Sequence, residues 1–195
     1  MNMSLSHDIA ILLGSLRKDG YSSHLAHALT ELSPARLRFS IVGIGDLPLY
    51  NQDLDGSPPA PWELLRQSIR SASAVLFVTP EYNRSVPGVL KNAVDIASRP
   101  YGHNVFDSKP AAIVSQSPGA LGGFGANHAL RQSLVFLNMP TLQQPEVYLA
   151  NVAAMFDSAG ALTSEATRTF LASFMQSFAE WIDRHASAQI AQDVR

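Results

Sequence analysis

A doubly wound α/β sandwich is the fold class that this chain of 195 residues predicts, on three observations. Short β-branched apolar runs recur along it, each ending in small polar residues with Gly or Pro. Between them lie segments whose apolar residues recur at helical spacing. The two kinds of segment alternate, five of each, and the right-handed crossover rule folds such a βαβ chain into an open parallel sheet covered on both faces.

The elements follow in order. "DIAILLG" (8–14) reads as a strand buried on both faces, because it is apolar without alternation. Leu25, Leu29 and Leu32 then share one helical face behind Ser22 and Ser23, residues suited to N-capping. "LRFSIVGI" (37–44) alternates loosely, as a strand nearer an edge does. After the longest loop-like stretch, "NQDLDGSPPAPW" (51–62), Trp62, Leu65 and Ile69 mark the second helix. "AVLFVT" (74–79) is a second strand of the fully buried kind, followed by a helix with Leu90, Val94 and Ala97 on one side. "AAIVSQS" (111–117) is a third, followed by a helix carrying Leu130, Leu134 and Leu137. The fifth strand lies within residues 141–149. The last helix, from 163 to about 188, sets Phe170, Phe174, Phe178, Trp181 and Ile182 on one apolar stripe.

Composition narrows the function. With 46% hydrophobic and 15% charged residues the chain can bury one good core, and a single domain over residues 1–195 is the expectation. A formal charge of −2 with scattered basic residues gives no footprint for nucleic acid or an anionic membrane. The longest apolar runs, such as "IAILL", fall far short of the roughly 18 residues of a membrane span. The opening "MNMSLSHD" has neither a basic start nor an apolar core of a secretory signal, so a cytoplasmic protein is expected. Cysteine is absent, which removes disulfides, thiolate metal sites and thiol redox chemistry, and any redox work then falls to a cofactor.

In doubly wound sheets ligands bind beyond the carboxyl ends of the strands. Three loops there carry the chemistry. "GSLRKDGYSSHLA" (14–26) brings serines, Arg17 and Lys18 to a helix start, where free amide groups bind anions. It has neither the dinucleotide glycine fingerprint nor the G-K-[ST] ending of a P-loop, so a phosphomonoester is the better match. The competing reading is a helix merely capped by Ser22 or Ser23, with both cations solvated. "TPEYNRSVPGVLKNAVD" (79–95) is held between Pro80 and Pro87, the latter well placed in the first turn of a helix. Tyr82 offers a flat apolar face, and the amides around Tyr82 and Asn83 offer donors to a heteroaromatic ring. Lys91 and Asp95, one turn apart, read as a solvated pair. "SQSPGALGGFG" (115–125) gathers four glycines within residues 119–125, which permits close backbone approach and clustered amides that stabilise negative charge.

The first two of these segments together resemble the NAD(P)H-dependent FMN reductase family, which includes quinone and chromate reductases and related azo-dye reductases. The match in the second is residue by residue: Pro80, Glu81, Tyr82, Asn83, Ser85, Pro87, Gly88, Leu90, Lys91, Asn92, Ala93 and Asp95. The similarity continues through "QSPGALGG" and "LRQSLVFLNM" to the fifth strand. The resemblance implies a flavodoxin-like fold, a five-stranded parallel sheet with helices on both faces. It also implies FMN as cofactor with NAD(P)H as cosubstrate. Ser15, Arg17, Gly20 and Ser22 would surround the FMN phosphate, and Pro80, Glu81, Tyr82 and Asn83 would lie along the isoalloxazine. Ser117 and Gly119 would approach the ring from the neighbouring loop. A homodimer or homotetramer is implied as well. Gly20 stands where many relatives have Ser, Ser22 where they commonly have Asn, and Gly125 where they often carry Arg.

The function expected is hydride transfer from NAD(P)H to the flavin N5 and on to a quinone-like, flavin, azo or oxyanion acceptor by a ping-pong cycle, with no side chain as obligatory acid or base. The alternative is a non-enzymatic flavin-binding electron carrier or redox sensor. Carriers of that fold are usually strongly acidic, which a charge of −2 is not. No metal site is expected: His24 and His27 lack a third ligand, and His103, His128 and His185 have no partner at triad spacing.

Overall fold

The computed structural model describes the backbone of residues 6–193 and the side chains of residues 6–186. Five strands, β1 (His7–Leu13), β2 (Leu37–Ile41), β3 (Ala74–Pro80), β4 (Ala111–Gln116) and β5 (Val147–Leu149), form one sheet in the order β2-β1-β3-β4-β5. All neighbouring pairs are parallel. This is the flavodoxin-like strand order, with its reversal between β1 and β3. The helices are α1 (Tyr21–Glu31), α2 (Ala60–Ser71), α3 (Gly88–Ala97), α4 (Phe124–Phe136) and α5 (Glu165–Asp193).

Alternation along each central strand divides its side chains between two cores. Ile9, Ile11, Leu76 and Val78 face α1 and α5, meeting Leu25, Leu29, Phe174, Phe178 and Ile182. Ala10, Leu12, Val75, Phe77 and Ile113 face the other way, onto Trp62, Leu65, Ile69, Leu90, Leu130 and Leu134 of α2, α3 and α4. The strands read as fully buried, β1, β3 and β4, occupy the middle, and the loosely alternating β2 is an edge. β2 ends at Ile41 instead of residue 44, and β5 takes only three of the residues from 141 to 149.

Two expectations change. Phe170 does not belong to the apolar stripe of α5: it is exposed, while Leu171, Met175 and Ala179 join Phe174, Phe178 and Ile182 in the core. At 3.6 residues per turn the buried stripe drifts around so long a helix, and Phe170 lies just off it. Neither serine caps α1: Gly20 is the N-cap residue, with no side-chain hydrogen bond.

Two side-chain networks fix the sheet's framework. His7 Nε2 lies 2.9 Å from Asp183 Oδ1, and Arg36 Nη2 donates to Asp183 Oδ2 at 3.2 Å, tying α5 to the start of β1. Asn92 on α3 accepts from the Tyr50 amide at 2.9 Å and donates to the Leu47 and Pro48 carbonyls, so the loop after β2 is stapled down. Trp62 Nε1 donates to the same Pro48 carbonyl at 3.0 Å.

Truncating the stripe tests the corrected helix face. Phe178→Ala removes a fully buried ring and should lower stability by about 3–5 kcal/mol, whereas Phe170→Ala should cost less than about 1 kcal/mol. Urea denaturation of both variants checks this, and equal losses would restore Phe170 to the stripe.

Candidate active site at the carboxyl ends of the strands

The loops after β1 and β3 sit side by side at the strand-order reversal and enclose a cleft of about 390 Å³. Its walls are Gly14, Ser15, Leu16 and Arg17 from the first loop and Tyr82, Pro87, Gly88 and Val89 from the second. Sequence pattern explains why both loops end there: β1 and β3 are neighbours, and the Gly14 amide donates to the Val78 carbonyl at 2.9 Å.

The first loop fits a phosphomonoester. α1 begins at Gly20 with an extended N-cap residue, no capping side chain and no acidic residue in its first turn. An uncapped helix start presents amide groups and the positive end of the helix dipole to an anion. Arg17 is exposed, and no carboxylate lies within ion-pair distance of it among the described residues. Ser15 Oγ accepts from the Arg17 amide at 3.3 Å, which holds the loop and leaves the hydroxyl hydrogen to donate. Ser22 is buried, and its Oγ accepts from Gln116 Nε2 at 3.2 Å, linking the start of α1 to the end of β4. Gly20 contributes by what it lacks: a Ser there would supply the cap that this helix start does without.

The second loop is a miniature hairpin. Tyr82 and Ser85 exchange main-chain hydrogen bonds of 3.1 and 2.9 Å, and between them Asn83 and Arg84 both have positive φ, 49° and 64°. Consecutive left-handed residues at the turn are the type I′ arrangement. Pro80 closes β3, Tyr82 and Asn83 are exposed at the rim, and α3 starts at Gly88 with Pro87 as its N-cap residue. Lys91 and Asp95 form the solvated pair expected, at 2.7 Å.

The third loop contributes no wall to this cleft. Ser117 and Gly119 do not line it; the Ser117 carbonyl accepts from the Val152 amide at 3.1 Å and the Gly119 carbonyl from the Asn151 amide at 3.2 Å, so the loop is stitched to the chain after β5. Gly122 and Gly123 have φ of 58° and 78°, the backbone freedom that its glycine content suggested. Beside it Phe124, His128 and Tyr148 pack together, with His128 Nε2 3.0 Å from the Tyr148 hydroxyl. Burial first, and then a hydrogen bond with Glu146, pushes the Tyr148 hydroxyl up to about 12. His24 is half-buried against Phe156 and Gly160, with ring centroids 5.7 Å apart in the aromatic pair.

Sequence reasoning missed Glu81's contact: its Oε2 accepts from the Ala126 amide at 3.1 Å, in the first turn of α4. Only the pairing of an acid in one loop with a helix start in the next could have signalled it. A larger groove of about 670 Å³ between β2 and α2 is lined by Ile41, Leu64, Ser68 and their neighbours and includes none of the candidate residues. The smaller cleft is the better candidate, because Arg17 lines it together with the start of α3, and the loop that carries Arg17 leads into the uncapped start of α1. Among the described residues no group of three His, Asp or Glu is placed to hold a metal ion, and no helix is long and apolar enough to cross a membrane.

Arg17→Ala should weaken binding of FMN to the apoprotein by about 1.5–3 kcal/mol, the range for hydrogen bonds to charged groups. Quenching of flavin fluorescence measures it, and affinity unchanged within roughly twofold would remove Arg17 from the phosphate cradle.

Comparison with known proteins gives the family and the fold. The family model described as NADPH-dependent FMN reductase matches residues 7–154. A quinone reductase of Pseudomonas putida is 56% identical over 181 residues, covering 92% of this chain and 97% of that protein. A 2-hydroxy-1,4-benzoquinone reductase of a Burkholderia species is 45% identical over 174 residues, covering 89% and 95%. Among solved structures, FerB from Paracoccus denitrificans, a flavoenzyme NAD(P)H:(acceptor) oxidoreductase, superposes with a TM-score of 0.86 at 41% identity, covering 92% of this chain and 98% of that one. The chain belongs to the NADPH-dependent FMN reductase family, oxidoreductases with FMN as cofactor and NAD(P)H as electron donor.

Proposed function

We propose that this protein reduces quinone-like acceptors, as a single FMN-binding domain working in a cytoplasmic homodimer or homotetramer. The observation that carries the acceptor class is the character of the loops at the strand ends. Leu16 and Tyr82, which line the cleft, Leu49 and Leu121 on neighbouring loops, and Phe124 at the start of α4 are all exposed large apolar side chains. A rim of that kind stabilises a flat apolar acceptor by desolvation and offers little to a strongly hydrated oxyanion. The relatives named quinone reductase support the same class.

When bound, FMN supplies the redox chemistry, taking hydride from NAD(P)H and passing electrons to the acceptor. This chain's residues bind and orient. In the proposal Ser15, Arg17, Gly20 and Ser22 surround the phosphate at the start of α1. Pro80, Glu81, Tyr82 and Asn83 form the edge against the isoalloxazine, with the Asn83 and Arg84 amides at the turn as donors, since those of Tyr82 and Ser85 are spent on each other's carbonyls. Ser117 and Gly119 come from the third loop. Tyr82 and Leu16 exclude water from one flank of the cleft, which they line. No side chain is assigned as acid or base. The oligomer is supported by Val135 and Phe136, which lie exposed near the end of α4 and favour cover by a second copy.

Anaerobic stopped-flow reduction of the FMN-loaded protein by NADPH and by NADH, then reoxidation by a benzoquinone or by chromate, tests this. Flavin bleaching within seconds is expected, with reoxidation by the quinone at least roughly tenfold faster, equivalent to about 1.4 kcal/mol in barrier. Absence of bleaching with either nucleotide would leave an electron carrier or sensor, and faster reoxidation by chromate would overturn the acceptor class.

A further inference from the structure

Glu81 lies in the loop that edges the cleft, yet its carboxylate is committed to another element. Its side chain is only 11% exposed. Oε2 accepts from the Ala126 amide at 3.1 Å, and Oε1 lies 3.4 Å from Arg84 Nη1. The Arg84 side chain is 74% exposed, so that ion pair is solvent-screened and weak, and the bond to the helix amide is the main one. A carboxylate at the first turn of an α-helix meets the positive end of the helix dipole and the free amides there, a stabilising contact.

Three further observations converge on this contact. The hairpin 82–85 holds Asn83 and Arg84 at φ of 49° and 64°; Asn adopts that region readily, and Arg does so only when its surroundings impose it. The Arg84 carbonyl and Glu81 Oε2 both abut Gly125, where an added Cβ would lie 2.7 and 2.8 Å from them. No side chain fits at position 125 unless the hairpin moves, so the first turn of α4 closes directly onto the loop after β3. Finally, α4 has Gly123 as its N-cap residue and thus no capping side chain of its own, and Glu81 satisfies an amide of its first turn from outside.

We propose that Glu81 is a positioning residue: its carboxylate pins the hairpin that edges the cofactor cleft to the amino end of α4, and Gly125 is the gap that lets the two meet. The pin sets the second and third loops in register, so the hairpin amides are presented to the ring in one arrangement instead of several, which raises affinity by preorganisation. It also accounts for Gly125 in this chain, since Arg at that position is incompatible with the observed approach. The inference rests on the FMN reading above.

The test uses FMN binding to apoprotein, by fluorescence quenching, for the natural protein, Glu81→Ala, Glu81→Gln and Gly125→Ala, with circular dichroism and thermal unfolding of each apoprotein as the folding control. Glu81→Ala should weaken FMN binding at least roughly tenfold, and Gly125→Ala should do so with Glu81 intact. Glu81→Gln keeps an acceptor for the Ala126 amide and should bind within roughly threefold of the natural protein, a rescue that mere loss of stability would not produce. Glu81→Ala binding within twofold of the natural protein, or Glu81→Gln as impaired as Ala, overturns the pin. Should Glu81→Ala fail to fold, the comparison of Gln with Gly125→Ala decides in the same way. Failure of the natural apoprotein to bind FMN refutes the cofactor reading instead, and is seen before any variant is compared.

Discussion

The parallel sheet is the constraint from which the site follows. Because every strand runs the same way, each connection must return over a face, and the loops that leave the carboxyl ends lead into the amino ends of helices. Burial on both faces makes this arrangement rigid: β1, β3 and β4 are sealed between α1 and α5 on one side and α2, α3 and α4 on the other. Positive helix ends and free amides therefore gather beside one another without any residue having been placed there for charge. At the reversal between β1 and β3 two such loops diverge to opposite faces, and the cleft is the space between them.

Much of this was legible in the sequence because the signals were local. Uninterrupted β-branched runs such as "AVLFVT" (74–79) read as strands sealed on both faces, and the looser pattern around Arg38 and Ser40 marks an edge. The Pro80 to Pro87 segment could be read as a constrained loop because proline restricts the backbone without reference to anything distant. Illegible features were those that depend on a second element. Ser22 has the right residue type for a helix cap, yet its hydroxyl is committed to Gln116, 94 positions away. Phe170 fits the stripe of α5 by spacing, but the stripe's width is set by how α5 lies against the sheet. Asn92 belongs to a matched motif, and only the fold reveals that it staples the loop after β2 through three hydrogen bonds.

The same dependence separates enzyme from carrier on this fold. A carrier docks large partners, and a strongly charged surface around the flavin steers them. Here the loops that frame the cleft carry exposed leucines and aromatic rings, with Arg17 and Lys18 as the cations of the first loop, and the net charge is only −2. That surface gains by contact with small apolar molecules and does little steering over distances beyond a Debye length, about 8 Å at physiological salt.

Electrostatics also assigns each anion to its helix. Three helix starts flank the region where, in the proposal, a phosphate and a ring are held; α3 lines the cleft through Pro87, Gly88 and Val89, and α1 and α4 differ in what already meets them. α4 receives the Glu81 carboxylate at its first turn, so its amide and its dipole are already met by protein charge. α1 receives nothing from its N-cap residue, because position 20 is glycine, and it has no acid in its first turn. A phosphate approaching α4 would meet a carboxylate; one approaching α1 meets Arg17 and unclaimed donors. In the proposal the Glu81 contact acts twice, once by holding the hairpin and once by making α4 a poorer place for a dianion than α1 with Arg17 beside it. A glycine at 20 and a glutamate at 81, each unremarkable where it stands, would together orient the proposed cofactor along the cleft.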